Sequence, residues 1–169
     1  PVKLSESERE DKPLVSVLIA SYEGKRSYFE QLFESLVNQP YTNLECVLVD
    51  SSCQSFLRAT AEETKWITYI PSEPEGVAAG TNEAVANASG EILAILDDDD
   101  YVTEHRFPRT VEAIRKGADV VYGDVYDLDD TTGEMNYRTA MAPDDSSELW
   151  IDFFRFDGIS GSVPAGTVA

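Results

Sequence analysis

Four consecutive aspartates, Asp97-Asp98-Asp99-Asp100, follow directly on the apolar run Ile92-Leu93-Ala94-Ile95-Leu96. Adjacent like charges repel, and any burial deepens that cost. A divalent cation removes it, and hard oxygen ligands suit magnesium, manganese or calcium. On an extended backbone Asp97 and Asp99 point the same way, which makes them the candidate metal pair. A cation there could join the protein to a diphosphate and neutralise its charge as it leaves. The plainer reading is a solvated acidic turn, since acidic residues are spread along the whole chain.

Two further polar clusters close apolar runs in the same way, Ser21-Tyr22-Glu23 and Asp50-Ser51-Ser52. The Asp50 carboxylate could accept hydrogen bonds from a base or ribose at a sheet edge, or simply end a strand as a turn residue. Tyr22 could stack on a base or stand as a half-buried loop aromatic. The stretch 76–82, bounded by Gly76 and Asn82, could let a ligand approach the backbone. Alternatively, Ala78, Ala79 and Ala84 let a helix lie close on a sheet. His105, the single histidine, is expected at the surface. Cys46 and Cys53 have no histidine nearby and make no zinc site; reduced thiols fit an intracellular protein. Gly-x-Gly-x-x-Gly, Walker and Gly-x-Ser-x-Gly patterns are absent, which removes dinucleotide, kinase and serine-hydrolase readings.

The elements that would position these clusters alternate between strand and helix. Nearly continuous apolar runs over 14–20, 44–49, 66–70 and 92–96 suit strands buried on both faces. Tyr28, Phe29, Leu32, Phe33, Leu36 and Val37 recur at helical spacing, and Pro40 stops that helix. Shorter helices are expected over 56–64 and, opened by Gly76, over 77–88 with Ser89-Gly90 as its end. Thr103 is the expected N-cap of a helix reaching Lys116, with Pro108 delaying its start and Gly117 capping its end. A fifth strand is expected to begin over 119–122, and Thr131-Thr132-Gly133-Glu134 to turn a hairpin back through 135–138. Leu149, Trp150, Phe153 and Phe154 again show helical spacing. This pattern predicts an α/β fold, a doubly wound, mostly parallel sheet flanked by helices. Ligands in such sheets bind at the carboxyl ends of strands, where all three polar clusters fall.

With 169 residues, one domain with a sizeable core is expected over 13–169, after a disordered lead-in over 1–12. The 32 acidic against 13 basic residues give a net charge of −19, so nucleic acid and anionic membranes are poor partners. Scarce lysine and dispersed carboxylates also fit a halophilic-like surface, on which high salt screens self-repulsion. No apolar run reaches the roughly 18 residues of a membrane span, and the polar N-terminus is not a signal peptide.

The segment Val15-Ser16-Val17-Leu18-Ile19-Ala20-Ser21-Tyr22 resembles the opening strand of glycosyltransferase family 2, the inverting GT-A transferases. Gln39-Pro40-Tyr41-Thr42-Asn43-Leu44-Glu45-Cys46-Val47-Leu48-Val49-Asp50 resembles that family's second-strand signature. The stretch 76–82, then 88–100, resembles the approach to its Asp-x-Asp motif. The resemblance implies a GT-A fold, a nucleotide-diphosphate sugar donor and a divalent cation (Mn or Mg). By position it implies that Ala20, Ser21, Tyr22 and Glu23 line the nucleotide pocket and that Asp50 holds the base. Gly76 and Asn82 would border the ribose and phosphates. Asp97 and Asp99 would hold the metal, Asp98 would face ribose or sugar, and Asp100 would be structural. Two positions depart from the family: Ser51 replaces its second acidic residue after Asp50, and Thr81 the arginine often found before Asn82.

An inverting transfer needs a general base to deprotonate the acceptor. The family's base lies well beyond the motif, and Asp144, Asp145, Asp152 and Asp157 sit in no matching motif. The base is therefore unassigned, and the acceptor side is expected to be incomplete. The expected enzyme moves a sugar, with inversion, to a sugar, lipid or protein acceptor. It is expected in the cytoplasm, or at the inner face of the membrane in a longer chain. The alternative is a truncated or non-catalytic nucleotide-sugar-binding module. A nucleotidyltransferase would want a glycine-rich basic loop after the first strand, and Gly24-Lys25-Arg26 is too short a match.

Overall fold

The first apolar run forms β1 (Val15–Ser21), buried at every position except the half-buried Ala20. The computed structural model describes residues 12–73 and 76–139. Residues 1–11 of the expected lead-in over 1–12, the helical spacing at 149–154 and the four acids from Asp144 onward lie outside the described residues. Parallel to β1 on one side run β2 (Leu44–Asp50) and beyond it β3 (Ile67–Pro71). On its other side lies β4 (Ile92–Ile95), so the order is β3-β2-β1-β4. The chain steps outward from β1 to β3 and then returns past β1. That reversal sets the switch point between the carboxyl ends of β1 and β4, the crevice at which doubly wound sheets take their ligands.

Helices α1 (Arg26–Val37), α2 (Ser55–Glu63), α3 (Val77–Ala86) and α4 (Arg106–Arg115) cover the two faces. Alternation along β1 sorts its side chains between them. Val15, Val17 and Ile19 share a core with Phe29, Leu32 and Leu36 of α1, Leu57 of α2, and Phe107 and Val111 of α4. Leu18 faces the other way and packs with Val47, Val49 and Ala84. The α3 helix lies close there: a Cβ on Gly80 would stand 3.0 Å from that of Ala20. Gly80 and Ala84 form the packing face, while Ala79 is half-buried and Ala78 exposed, so the expected alanine contact is only partly the one observed.

Several boundaries differ from expectation for identifiable reasons. The α3 helix ends at Ala86 with Asn87 as its cap, not at Ser89-Gly90. Gly90 serves a close approach instead: a Cβ there would meet Leu14 O and Ser16 N at 2.7 Å each. The α4 helix begins at Arg106 rather than next to Thr103, whose carbonyl accepts the Arg106 N–H at 3.2 Å in a preceding turn. Pro108, its third residue, sits where no intrahelical donor is needed. Gly117, at φ 98°, ends it as expected. The fifth strand expected over 119–122 is absent. Its residues find no ladder partner among the described residues, and an extended segment without one is not a strand. Instead β5 (Val125–Leu128) pairs antiparallel with β6 (Met135–Arg138) around the predicted turn, as a separate ribbon. Asp129 accepts the Thr131 and Thr132 N–H groups at 2.8 and 2.9 Å, and Gly133 takes φ 71°, which fixes that turn. Among the described residues no helix is long and apolar enough to cross a membrane.

Candidate functional site at the carboxyl edge of the sheet

Asp50 ends β2, flanked in register by Ser21 of β1 and Pro71 of β3. It is 0% exposed. One carboxylate oxygen accepts the Ser52 N–H at 2.9 Å and the Ser52 hydroxyl at 2.7 Å. The other accepts the Gln54 N–H at 2.6 Å and the Tyr69 hydroxyl at 3.0 Å. Burial alone would raise its pKa, but the hydrogen bonds from Ser52, Gln54 and Tyr69 hold it below the usual carboxylate range. The loop gripped in this way reaches the exit of β1. The Glu23 N–H donates to Ser52 Oγ at 3.0 Å, and Gln54 Nε2 donates to the Gly24 carbonyl at 3.1 Å. Asp50 thus faces inward and shapes two loops, the arrangement of a strand-ending turn residue.

Across the crevice, Ser21 Oγ donates to Asp98 Oδ2 at 2.5 Å, joining residues 77 apart in sequence. Gly24 closes over this bond. A Cβ there would overlap the Asp98 carboxylate and stand 2.6 Å from the Phe29 ring. Burial pushes the Asp98 carboxyl up, the Ser21 hydrogen bond offsets part of this, and the charges of Asp99 and Asp97 push it further. Burial and the charge of Asp99 likewise raise Asp97. The backbone here is a turn rather than the extended strand expected: the Asp100 N–H donates to the Asp97 carbonyl at 3.2 Å. Asp100 faces Arg106, whose guanidinium donates to the Ile95 carbonyl at 3.2 Å. Burial lowers the Arg106 pKa to about 10, and the Asp100 charge opposes that fall.

The remaining expected residues lie on β1, on its exit loop and on or just before α3. Ala20 is half-buried beneath α3, and Tyr22 is 61% exposed. Glu23 is exposed and held at φ 55°. Gly76 precedes α3 at φ 92°, and Asn82 is exposed one turn and a half along it. His105 lies at the surface beside Glu104, as expected. Sequence reasoning missed Gly24, Gln54 and Tyr69. Each acts through a partner distant in the chain, and only the glycine carried a local signal.

The donor chemistry at 97–99 fits a divalent cation: hard oxygens, exposed at Asp97 and Asp99, with burial first and neighbouring charge second raising Asp97 and Asp98. Among the described residues no group of three or more His, Cys, Asp or Glu side chains is placed to hold a metal by itself. The site suits a cation shared with a ligand's oxygens, the usual habit of magnesium at phosphate sites.

The chain is similar in sequence and fold to known glycosyltransferases. An uncharacterized glycosyltransferase of Methanocaldococcus jannaschii is 29% identical over 128 residues, covering 71% of this chain and 44% of that protein. Glycosyltransferase GlyG of Streptococcus pneumoniae is 28% identical, covering 73% of this chain and 43% of its own. The chain therefore spans less than half the length of these relatives. Among solved structures, a mannosyltransferase of Pyrobaculum calidifontis, in complex with GDP-Man and Mn2+, superimposes with a TM-score of 0.53 at 27% identity. It covers 67% of this chain and 34% of that one. TarS of Staphylococcus aureus, at 23% identity and a TM-score of 0.56, shares the fold over 63% of this chain and 34% of its own. The sequence profile described as Glycosyl transferase family 2 matches residues 16–164, and with that span covered the chain belongs to glycosyl transferase family 2.

Proposed function

We propose that this chain binds a nucleotide-diphosphate sugar at the β1–β4 crevice and forms the donor side of an inverting glycosyltransferase. The observation that carries the reading is the Ser21–Asp98 hydrogen bond, which sets the acidic turn at the topological switch point. The solved mannosyltransferase with GDP-Man and Mn2+, similar over 67% of this chain, supports it. In this reading Ala20, Ser21, Tyr22 and Glu23 line the nucleotide pocket, and the Asp50 loop borders the base. Gly76 and Asn82 lie toward ribose and phosphates, and Asp98 toward ribose or sugar. Asp97 and Asp99 would hold a manganese or magnesium ion, which when bound neutralises the charge gathering on the departing diphosphate. The acceptor hydroxyl attacks the anomeric carbon, the bond to the diphosphate breaks, and the hydroxyl proton passes to a base. No residue of this chain is assigned that last role.

Calorimetric titration of UDP, GDP and dTDP tests the reading, first with Mn2+ and then with EDTA. Binding of one nucleotide that is lost on chelation is expected. Equal binding in EDTA would remove the metal assignment, and binding of none of the three would remove the donor site.

The net charge of −19 belongs to the same reading, because an anionic donor must approach an anionic surface. We expect the melting temperature to rise steadily between about 0.1 and 2 M KCl as carboxylate repulsion is screened. A flat or falling curve in differential scanning calorimetry would refute a salt-adapted surface.

A further inference from the structure

A diphosphate brought to Asp97 and Asp99 carries more negative charge than one divalent cation cancels, so the carboxyl edge of the sheet needs a cation of its own. The chain has no lysine or arginine between Lys65 and Arg106, so β3, α3, β4 and the acidic turn supply none. Arg106 is occupied with the Ile95 carbonyl and Asp100. On the β1 side, Arg26 bonds Glu30 at 2.9 Å and its guanidinium lies 5.7 Å from the Phe56 ring. Arg58 sits over the Tyr69 ring at 5.7 Å.

Lys25 is placed differently. It stands at the start of α1, directly after the loop that closes over Ser21 and Asp98. Its ammonium donates to the Tyr28 hydroxyl at 3.0 Å and lies 4.7 Å from the centre of that ring. The Tyr28 hydroxyl in turn donates to Asp130, in the β5–β6 turn, 102 residues away. Lys25 directly follows Gly24, where a Cβ would overlap the Asp98 carboxylate, so its backbone lies beside the acidic turn; the Tyr28 hydrogen bond raises its pKa. The held position is exposed to solvent, where such contacts are weak and readily exchanged for a stronger one.

We infer that Lys25 is the donor site's own diphosphate-binding cation, parked on Tyr28 until a diphosphate arrives at the acidic turn beside Gly24. The inference rests on the donor-binding reading above. A charge-assisted hydrogen bond to phosphate is stronger than the bond to a neutral phenol, so the exchange runs toward the ligand. Its signature is selectivity for the phosphates over the rest of the nucleotide.

The test compares the full chain with Lys25→Ala and Lys25→Arg, titrating the tightest of UDP, GDP and dTDP in Mn2+, and the matching nucleoside without phosphates. Lys25→Ala is expected to weaken the diphosphate about tenfold and leave the nucleoside unchanged, and Lys25→Arg to keep affinity within about threefold of the native chain. Equal diphosphate affinity for Lys25→Ala overturns this assignment while the donor site stands. Equal weakening of nucleoside and diphosphate also overturns it, because the loss is then structural. Failure of the native chain to bind any of the three overturns both.

Discussion

Asp99→Asn is expected to weaken Mn2+-dependent nucleoside diphosphate binding by about a hundredfold or more, with the melting temperature unchanged. Asp99 is exposed, and its charge adds to the burial that raises Asp97 and Asp98. Asparagine keeps its shape and removes that charge. Even the outer partners of metal ligands cost about 10–100-fold in affinity when mutated, so losing a ligand charge sets a larger expectation. The fold should be indifferent or slightly favoured, since one repulsion has been removed. Calorimetry in Mn2+ and a thermal melt on the same protein measure the two halves. Affinity within threefold of the native chain would refute the Asp-x-Asp assignment. Asp100→Asn gives the contrast: it faces Arg106, so its loss should appear in the melt before it appears in binding.

The part of this site that was legible in the sequence is the part made by local pattern. Continuous apolar runs announced four parallel strands, and parallel strands place their polar ends together, so Ser21, Asp50 and 97–100 were legible as one sheet edge. What those residues touch was not legible. Pairing across the switch point depends on the order β3-β2-β1-β4, which puts Ser21 beside Asp98 and leaves Asp50 a strand further away. Asp50 read equally as a ligand contact or a turn residue, because a strand-ending aspartate looks the same whether its carboxylate turns out or in. Only the later placement of Ser52, Gln54 and Tyr69 decides it. The strand expected at 119–122 but not formed has the same origin. Val120, Val121 and Tyr122 have strand propensity, but a ladder needs a neighbour, and propensity cannot supply one.

Asp50 carries the largest expected effect on stability. Asp50→Ala would leave the Ser52 and Gln54 N–H groups and the Tyr69 hydroxyl without their acceptor in a buried site. At about 1–3 kcal/mol for each unsatisfied buried group, with water entering to recover part, a loss of about 3 kcal/mol is expected in urea denaturation. Asp50→Asn keeps one acceptor but turns an amide N–H toward existing donors, and should lose about 2 kcal/mol. Acid separates this carboxylate from its neighbours. Its folded pKa is depressed, so its contribution is fully present above the unfolded value near 4 and is lost as pH falls through the folded one. Asp97 and Asp98 are raised, so they act with the opposite sign: they weaken the fold at neutral pH, and protonation relieves that. Both effects occur in native chain and variant alike, so the difference in stability between native and Asp50→Asn isolates Asp50. That difference should be level from pH 7 to about 5 and narrow below about 4. A gap that stays level to pH 2 would mean that the carboxylate's charge plays no part in holding the loop. Because that loop holds Glu23 and Gly24, Asp50→Asn should lose donor binding together with stability, whereas Asp99→Asn loses binding alone. The two variants thereby separate the residue that shapes the loops at the sheet edge from the residue proposed to meet the ligand.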